Sequence, residues 1–197
     1  MRLLWRPLLL HLGATAFFAW AGWRLWLEAP QLRAWQMWTE RALAVASGLL
    51  VFISIRALVA LAVTWPSAVV RGRRTSGDYL SALGAVLVLA FVAVRALGES
   101  APRHALVAFS IGFAVWVIAV TFDLLPRLYL GEHRVSDMLG RGTAYSALEW
   151  FQVSGGPRRA VLEVGRADRV VMRARAIGSD ADLAGALLLK KGLRERQ

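Results

Sequence analysis

The chain contains no cysteine, which excludes disulfides, thiolate nucleophiles, iron–sulfur clusters and Cys-ligated zinc. Lysine occurs only at Lys190 and Lys191, and histidine only at His11, His104 and His133. There is no glycine-rich phosphate loop ending in Lys and Ser or Thr, no paired-His zinc motif and no Gly-x-Ser-x-Gly elbow. Acids exist at Glu132, Asp137, Glu149 and Glu163, but none stands in catalytic spacing to a His or to another acid. These absences point away from an enzyme and leave no set of residues that calls for a cofactor or metal. His11 and His104 fall at opposite ends of their expected helices, so they cannot sandwich one haem.

Hydrophobic residues make up 57% of the 197, with nine Trp, a composition of integral membrane proteins. Residues 42–65 are apolar apart from Arg56 and Thr or Ser. At 1.5 Å per residue they reach roughly 36 Å, enough to cross a hydrocarbon core of about 30 Å. Similar runs at about 8–27, 79–98 and 104–125 predict a four-helix transmembrane bundle built of two hairpins, covering residues 1–126. An arginine-bearing start followed by an apolar run also describes a signal peptide, with Ala19-Trp20-Ala21 as its cleavage triplet. The run outlasts a signal sequence and ends in Trp20, Trp23 and Trp26, so it is taken as helix one. Trp23, Trp26, Trp35, Trp38 and Trp65 stand where interfacial anchors belong.

The net charge of +11 comes almost wholly from Arg and gathers in particular connections. Arg2 and Arg6 precede helix one, Arg71, Arg73 and Arg74 occupy the second connection, and the chain beyond Pro126 is basic. The positive-inside rule then puts both termini in the cytoplasm of a bacterial inner membrane. A faint repeat relates residues 19–30 to 90–102. Each copy ends a helix with an Arg, a Glu four residues on (Arg24 and Glu28, Arg95 and Glu99) and a Pro, as a duplicated hairpin would.

Inside the expected helices the ionisable residues are few. Arg24 and Arg95 can snorkel to the outer surface. Arg56 lies deeper, and Asp123 is the sole acid within the four expected spans, so an Arg56–Asp123 ion pair is the natural candidate. It would either fix which helices pack or line the path of a small transporter or channel.

Beyond Pro126 the period changes to two. Residues 145–153, 159–164 and 168–177 read as strands, with Leu162 and Val164 alternating with Val161 and Glu163, and Met172 and Ala174 alternating with Arg173 and Arg175. Matching the apolar faces of the last two requires paired numbers with an even sum, Val164 opposite Val170, and an odd loop. A closing helix over about 180–191 would cover the sheet with Leu183, Leu187 and Leu188. Residues 127–197 are therefore expected to form a small cytoplasmic α+β domain. Arg169, Arg173 and Arg175, joined by Arg159, would make a basic face toward anionic lipid headgroups. No aromatic stacking module accompanies them, which argues against nucleic acid.

The stretches AYSALEWFQV (144–153), RRAVLEV (158–164) and DRVVMRARAI (168–177), with the closing helix, resemble the C-terminal part of small bacterial membrane proteins that join a few helices to a pleckstrin-homology-like cytoplasmic β-domain. The segment is too short for a full seven-stranded barrel of that kind. The resemblance implies an adaptor or lipid-facing module and brings no catalytic residues. The topology, the Trp anchors and the missing catalytic residues together lead to the expectation of an accessory or scaffold subunit that contacts lipids, a membrane protein partner or a second copy of itself.

Overall fold

The computed structural model describes residues 5–99, 103–122, 124–156 and 160–196. Five α-helices form: α1 (Trp5–Glu28), α2 (Ala34–Thr64), α3 (Ser76–Leu97), α4 (His104–Thr121) and α5 (Gly178–Lys190). Of these, α2, α3 and α4 are long and apolar enough to cross a membrane.

The helix bounds have local causes. No proline and a single glycine, Gly48, interrupt residues 34–64, so α2 runs through Trp35, Trp38 and Glu40 and starts eight residues before the expected span at 42–65. It stops because Trp65 adopts φ 40°, in the left-handed region, and Pro66 follows. α3 begins at Ser76 and not at Tyr79, because Thr75 and Asp78 form a reciprocal capping box: the Asp78 N–H donates to Thr75 Oγ1 at 3.3 Å and the Thr75 N–H to Asp78 Oδ2 at 2.7 Å. α4 ends at Thr121, four residues earlier than expected. Asp123 lies outside the described residues.

The chain forms two compact units, and their bounds differ from a single break at residue 126. One takes Leu9–Ile55 and Arg74–Phe122; the other takes Met1–Leu8, Arg56–Arg73 and Asp123–Gln197. In the helical unit Phe18, Leu25, Phe109 and Leu106 form the core with Ala14, Ala21, Ala96 and Ala105. The Phe18 ring meets Phe109, Phe113 and Trp116 edge-on. Gly112 is where the Phe17 ring enters: a Cβ there would lie 2.0 Å from Phe17 Cε1. The small residue at that position has its reason, while Gly48 faces nothing within 4 Å.

The second unit holds two four-stranded sheets. In the first, β1 (Ala68–Val70), β2 (Leu128–Leu130), β3 (Arg134–Asp137) and β4 (Gly142–Ala144) are antiparallel neighbours in that order. The second has β5 (Trp150–Ser154), β6 (Ala160–Arg166) and β7 (Arg169–Ala176) as an antiparallel meander, and β8 (Arg194–Glu195) runs parallel to β5. Among the described residues seven strands thus follow residue 126, and the connection between α2 and α3 supplies an eighth. Val70, Leu128, Leu130, Phe151, Leu162 and Leu188 are among the core shared by both sheets and α5. Leu187 packs against that core at partial burial, but Leu183 is 54% exposed and does not cover the sheet.

The β6–β7 register corrects one expectation and keeps another. Val164 pairs with Met172, not Val170, and the loop holds only Ala167 and Asp168. An even loop would put opposite faces in register, but a bulge between Val164 and Gly165 shifts the pairing by one residue. Beyond it the sums are even, and Leu162 faces Ala174 as the apolar pattern demands. Gly165 is required there, since a Cβ would meet the Trp150 ring at 2.2 Å and the Arg169 carbonyl at 2.5 Å.

Candidate functional site

Two basic segments about a hundred residues apart are joined at the end of β7. After β1 the chain continues through Arg71 and Gly72, and Gly72 bridges to Ala176. The Arg73 N–H donates to the Arg175 carbonyl at 3.2 Å. Arg73 of the α2–α3 connection therefore lies beside Arg175 at the end of β7.

On β7 the alternation holds from Val171 on: Met172, Ala174 and Ala176 are buried, whereas Val171, Arg173 and Arg175 are exposed; at the start of the strand Arg169 and Val170 are both exposed. Arg169, Arg173 and Arg175 stand at odd-numbered, exposed positions of the strand. Arg159 lies outside the described residues. Glu163, opposite Arg173 in the ladder, forms an ion pair with it at 2.9 Å. Among the described residues Arg169 and Arg175 have no such acidic partner, so the positive character of the face rests mainly on them.

Arg71 is held differently. Asp180, in the first turn of α5, accepts from Arg71 Nε at 3.0 Å, from Arg71 Nη2 at 3.2 Å and from the Arg71 backbone N–H at 3.0 Å. This bidentate geometry fixes the guanidinium plane. Burial alone would push the Asp180 carboxyl up, but the hydrogen bonds and charge of Arg71 outweigh it and hold Asp180 below the ordinary carboxylate range. Arg71 is raised in turn by its hydrogen bond to Asp180 and by the carboxylate charge.

Arg56 belongs to the unit with the sheets. Its Nε donates to the carbonyl of Gly140, in the β3–β4 turn, at 3.3 Å, and the residue is exposed. Ala57, Ala60, Leu61 and Thr64 are buried on one face of the same helix end, and Thr64 Oγ1 lies 2.9 Å from Ser136 Oγ on β3. Arg56 thus has a backbone partner that a lone charge deep in a bundle would lack, and the proposed pairing with Asp123 falls outside the described residues. Trp23, Trp26, Trp35, Trp38 and Trp65 are all more than half exposed. Arg41 lies over both the Trp26 and Trp38 rings at 5.4 and 5.5 Å.

In the helical unit the ionic centre is one the sequence did not point to. Glu40 of α2 is wholly buried, with Arg103 at 3.6 Å; Arg103 also pairs with Glu99 at 2.8 Å. Glu28 pairs with Arg24 at 3.1 Å and accepts the Ala105 N–H at 3.3 Å. Glu28 and Glu99, equivalent in the repeat, are thus used differently: the first turns back to Arg24, the second forward to Arg103. The sequence signal for Glu40 was its place within an unbroken helix, seven residues before Ser47. Among the described residues no three His, Asp or Glu converge as a metal ion would require.

The chain matches no protein-family model, no curated protein and no solved structure.

Proposed function

We propose that this is a non-enzymatic, multipass protein of the bacterial cytoplasmic membrane, an accessory or scaffold subunit whose sheet-bearing unit rests on the anionic cytoplasmic leaflet through the β7 arginines. In this reading α1, at 24 residues, is a fourth span beside α2, α3 and α4, and both termini are cytoplasmic. Broad exposure of Leu80, Leu83, Leu87 and Phe91 on α3 supports a lipid-facing surface. The reading rests on one observation above all: the Arg73–Arg175 backbone bond, which sets Arg73 of the α2–α3 connection beside the β7 arginines. Each such Arg near an anionic surface contributes about 1 kcal/mol within a Debye length.

The absence of cysteine makes the test direct. Val171 is exposed between Arg169 and Arg173, so a V171C variant carries one environment-sensitive fluorophore on the face. In nanodiscs the emission shifts to the blue when phosphatidylglycerol is added to phosphatidylcholine, and the shift disappears in R169Q/R175Q. Equal spectra in both lipids overturn contact with the leaflet. For the accessory role, purification from the native membrane in mild detergent returns a membrane protein at fixed stoichiometry; recovery of the chain alone or as a homo-oligomer overturns it. The transporter alternative built on Arg56 and Asp123 gains no support from Arg56, whose guanidinium meets a turn carbonyl.

A further inference from the structure

Within the sheet-bearing unit a cleft of about 460 Å³ is lined by Arg6, Ser67, Arg71 and Asp180 on the polar side of its composition, and by residues that include Leu124 and Leu183 on the apolar side. Three features set it apart from an ordinary surface groove. First, its polar groups carry a net charge of one positive unit, two guanidinium groups against one carboxylate. Second, Asp180 occupies Nε and one N–H of Nη2 on Arg71, which leaves the end-on fork of Nη1 and Nη2 unused. The Arg71 side chain remains 59% exposed, so that fork is open to a ligand, pre-oriented by the carboxylate behind it. Third, Arg6 is exposed and, among the described residues, makes no hydrogen bond or ion pair. Leu124 and Leu183 are 40% and 54% exposed, which gives the cleft an apolar wall for the hydrocarbon part of a ligand.

Chain connectivity sets the depth. Arg6 lies in the first turn of α1, just ahead of the apolar run; Ser67 comes three residues after α2 ends at Thr64; and Leu124 comes three residues after α4 ends at Thr121. Where helices leave hydrocarbon, headgroups begin. A ligand at that level with one negative charge, oxygen acceptors in a plane for a guanidinium fork and an attached apolar part is a glycerophospholipid.

We propose that this cleft binds the phosphodiester of a single anionic glycerophospholipid, held between Arg6 and the open fork of Arg71, with Leu124 and Leu183 against its glycerol and upper acyl region. The inference rests on the membrane placement proposed above, but not on the β7 face. It makes one lipid a stoichiometric component of the fold, distinct from the diffuse attraction of the arginine row. Ser67 is a lesser donor, since its hydroxyl is already given to the Leu130 carbonyl at 3.2 Å.

The test is native mass spectrometry of the full chain released from nanodiscs of phosphatidylcholine with and without phosphatidylglycerol. The wild-type chain retains one phosphatidylglycerol in preference to phosphatidylcholine, and R6Q lowers that retention by about tenfold, the worth of one charge-assisted contact. R6K keeps most of it. Because R71Q alone strands Asp180, the R71Q/D180N pair, which keeps the cleft's amides in hydrogen-bonding reach, serves for Arg71. It loses the retained lipid while its thermal unfolding stays close to that of D180N. R169Q/R175Q retains lipid as the wild type does. Equal retention in wild type and R6Q, or equal retention of the two lipids, overturns the assignment. Inorganic phosphate displacing the lipid at equal concentration shows a soluble-phosphate site and overturns it as well. If the β7 fluorophore fails to respond while the R6Q effect persists, the face is wrong and the cleft stands. Failure of the chain to enter nanodiscs refutes the membrane placement, and the cleft assignment with it.

Discussion

The Arg103 guanidinium stands 3.6 Å from the carboxylate of Glu40, whose side chain is fully buried. Among the described residues neither Glu40 oxygen has a hydrogen bond, so the ion pair is its compensation for leaving water, and Arg103 is itself shared with Glu99 at 2.8 Å. Breaking such a pair from one side leaves an uncompensated buried charge, a loss of about 3–5 kcal/mol, whereas replacing both partners by apolar residues of similar volume is often neutral. R103M is therefore expected to lower the unfolding temperature steeply in detergent, and E40L/R103M to recover most of it. The nine Trp supply the fluorescence readout. A double variant as unstable as R103M would show that the pair has no such coupling.

Stability in acid follows Asp180. Its carboxyl is buried, which alone would raise its pKa, but the Arg71 hydrogen bonds prevail and the value is lowered on folding. A lowered carboxylate contributes stability that is fully present above the ordinary Asp pKa of about 4, and that is lost as the pH falls through the lowered folded value. The unfolding temperature of the wild type is expected to drop over that acid range. D180N starts lower at neutral pH and loses less on acidification. Parallel pH profiles for the two would remove Asp180 from this role.

Gly140 turns at φ 76°, and a Cβ there would stand 2.5 Å from the Arg56 carbonyl oxygen. Both facts oppose any side chain, because the left-handed backbone disfavours L residues and the obstacle is main chain of a helix that cannot step aside. G140A is expected to destabilise by about 2 kcal/mol or more. R56A, which removes one hydrogen bond to the same turn at an exposed position, should cost no more than about 1 kcal/mol. G156A is the control, with nothing within 4 Å and no positive φ. Equal melting of G140A and G156A would mean that the turn does not rest on α2.

These residues show where sequence reading succeeds. The long apolar runs declare the helices because hydrocarbon length and composition are properties of a segment alone. The alternation on β7 likewise separates Arg173 and Arg175 from Ala174 and Ala176 without any partner in view. What escaped was pairing. Nothing in residues 68–70 marks an edge strand for β2, since three apolar residues after Pro66 read equally well as loop. The Arg71–Asp180 fork joins positions 109 apart, and no period carries such information. The β6–β7 parity was derived correctly from the apolar faces, yet the loop length inferred from it failed, because a bulge at Gly165 supplies the extra residue that the loop lacks. Arg56 was read against Asp123 because both charges interrupt apolar runs; its hydrogen bond to Gly140 arises from a turn too short to announce itself.

The number of spans is decided by α1. Its 24 residues reach about 36 Å at the helical rise, enough for a crossing, but Arg24, His11 and the Trp content dilute its apolar character relative to α2, α3 and α4. In a chain without cysteine, single-cysteine variants L3C, Q31C and S154C report sidedness to a membrane-impermeant maleimide. Four crossings with cytoplasmic termini require L3C and S154C to be shielded in intact cells, and Q31C, in the connection between α1 and α2, to be labelled. An α1 that lies on the surface puts L3C and Q31C on one side, with the three remaining crossings carrying S154C to the other. That second pattern would move Arg6 away from Arg71 and Asp180 across the bilayer, so one labelling experiment bears on both the topology and the phospholipid cleft.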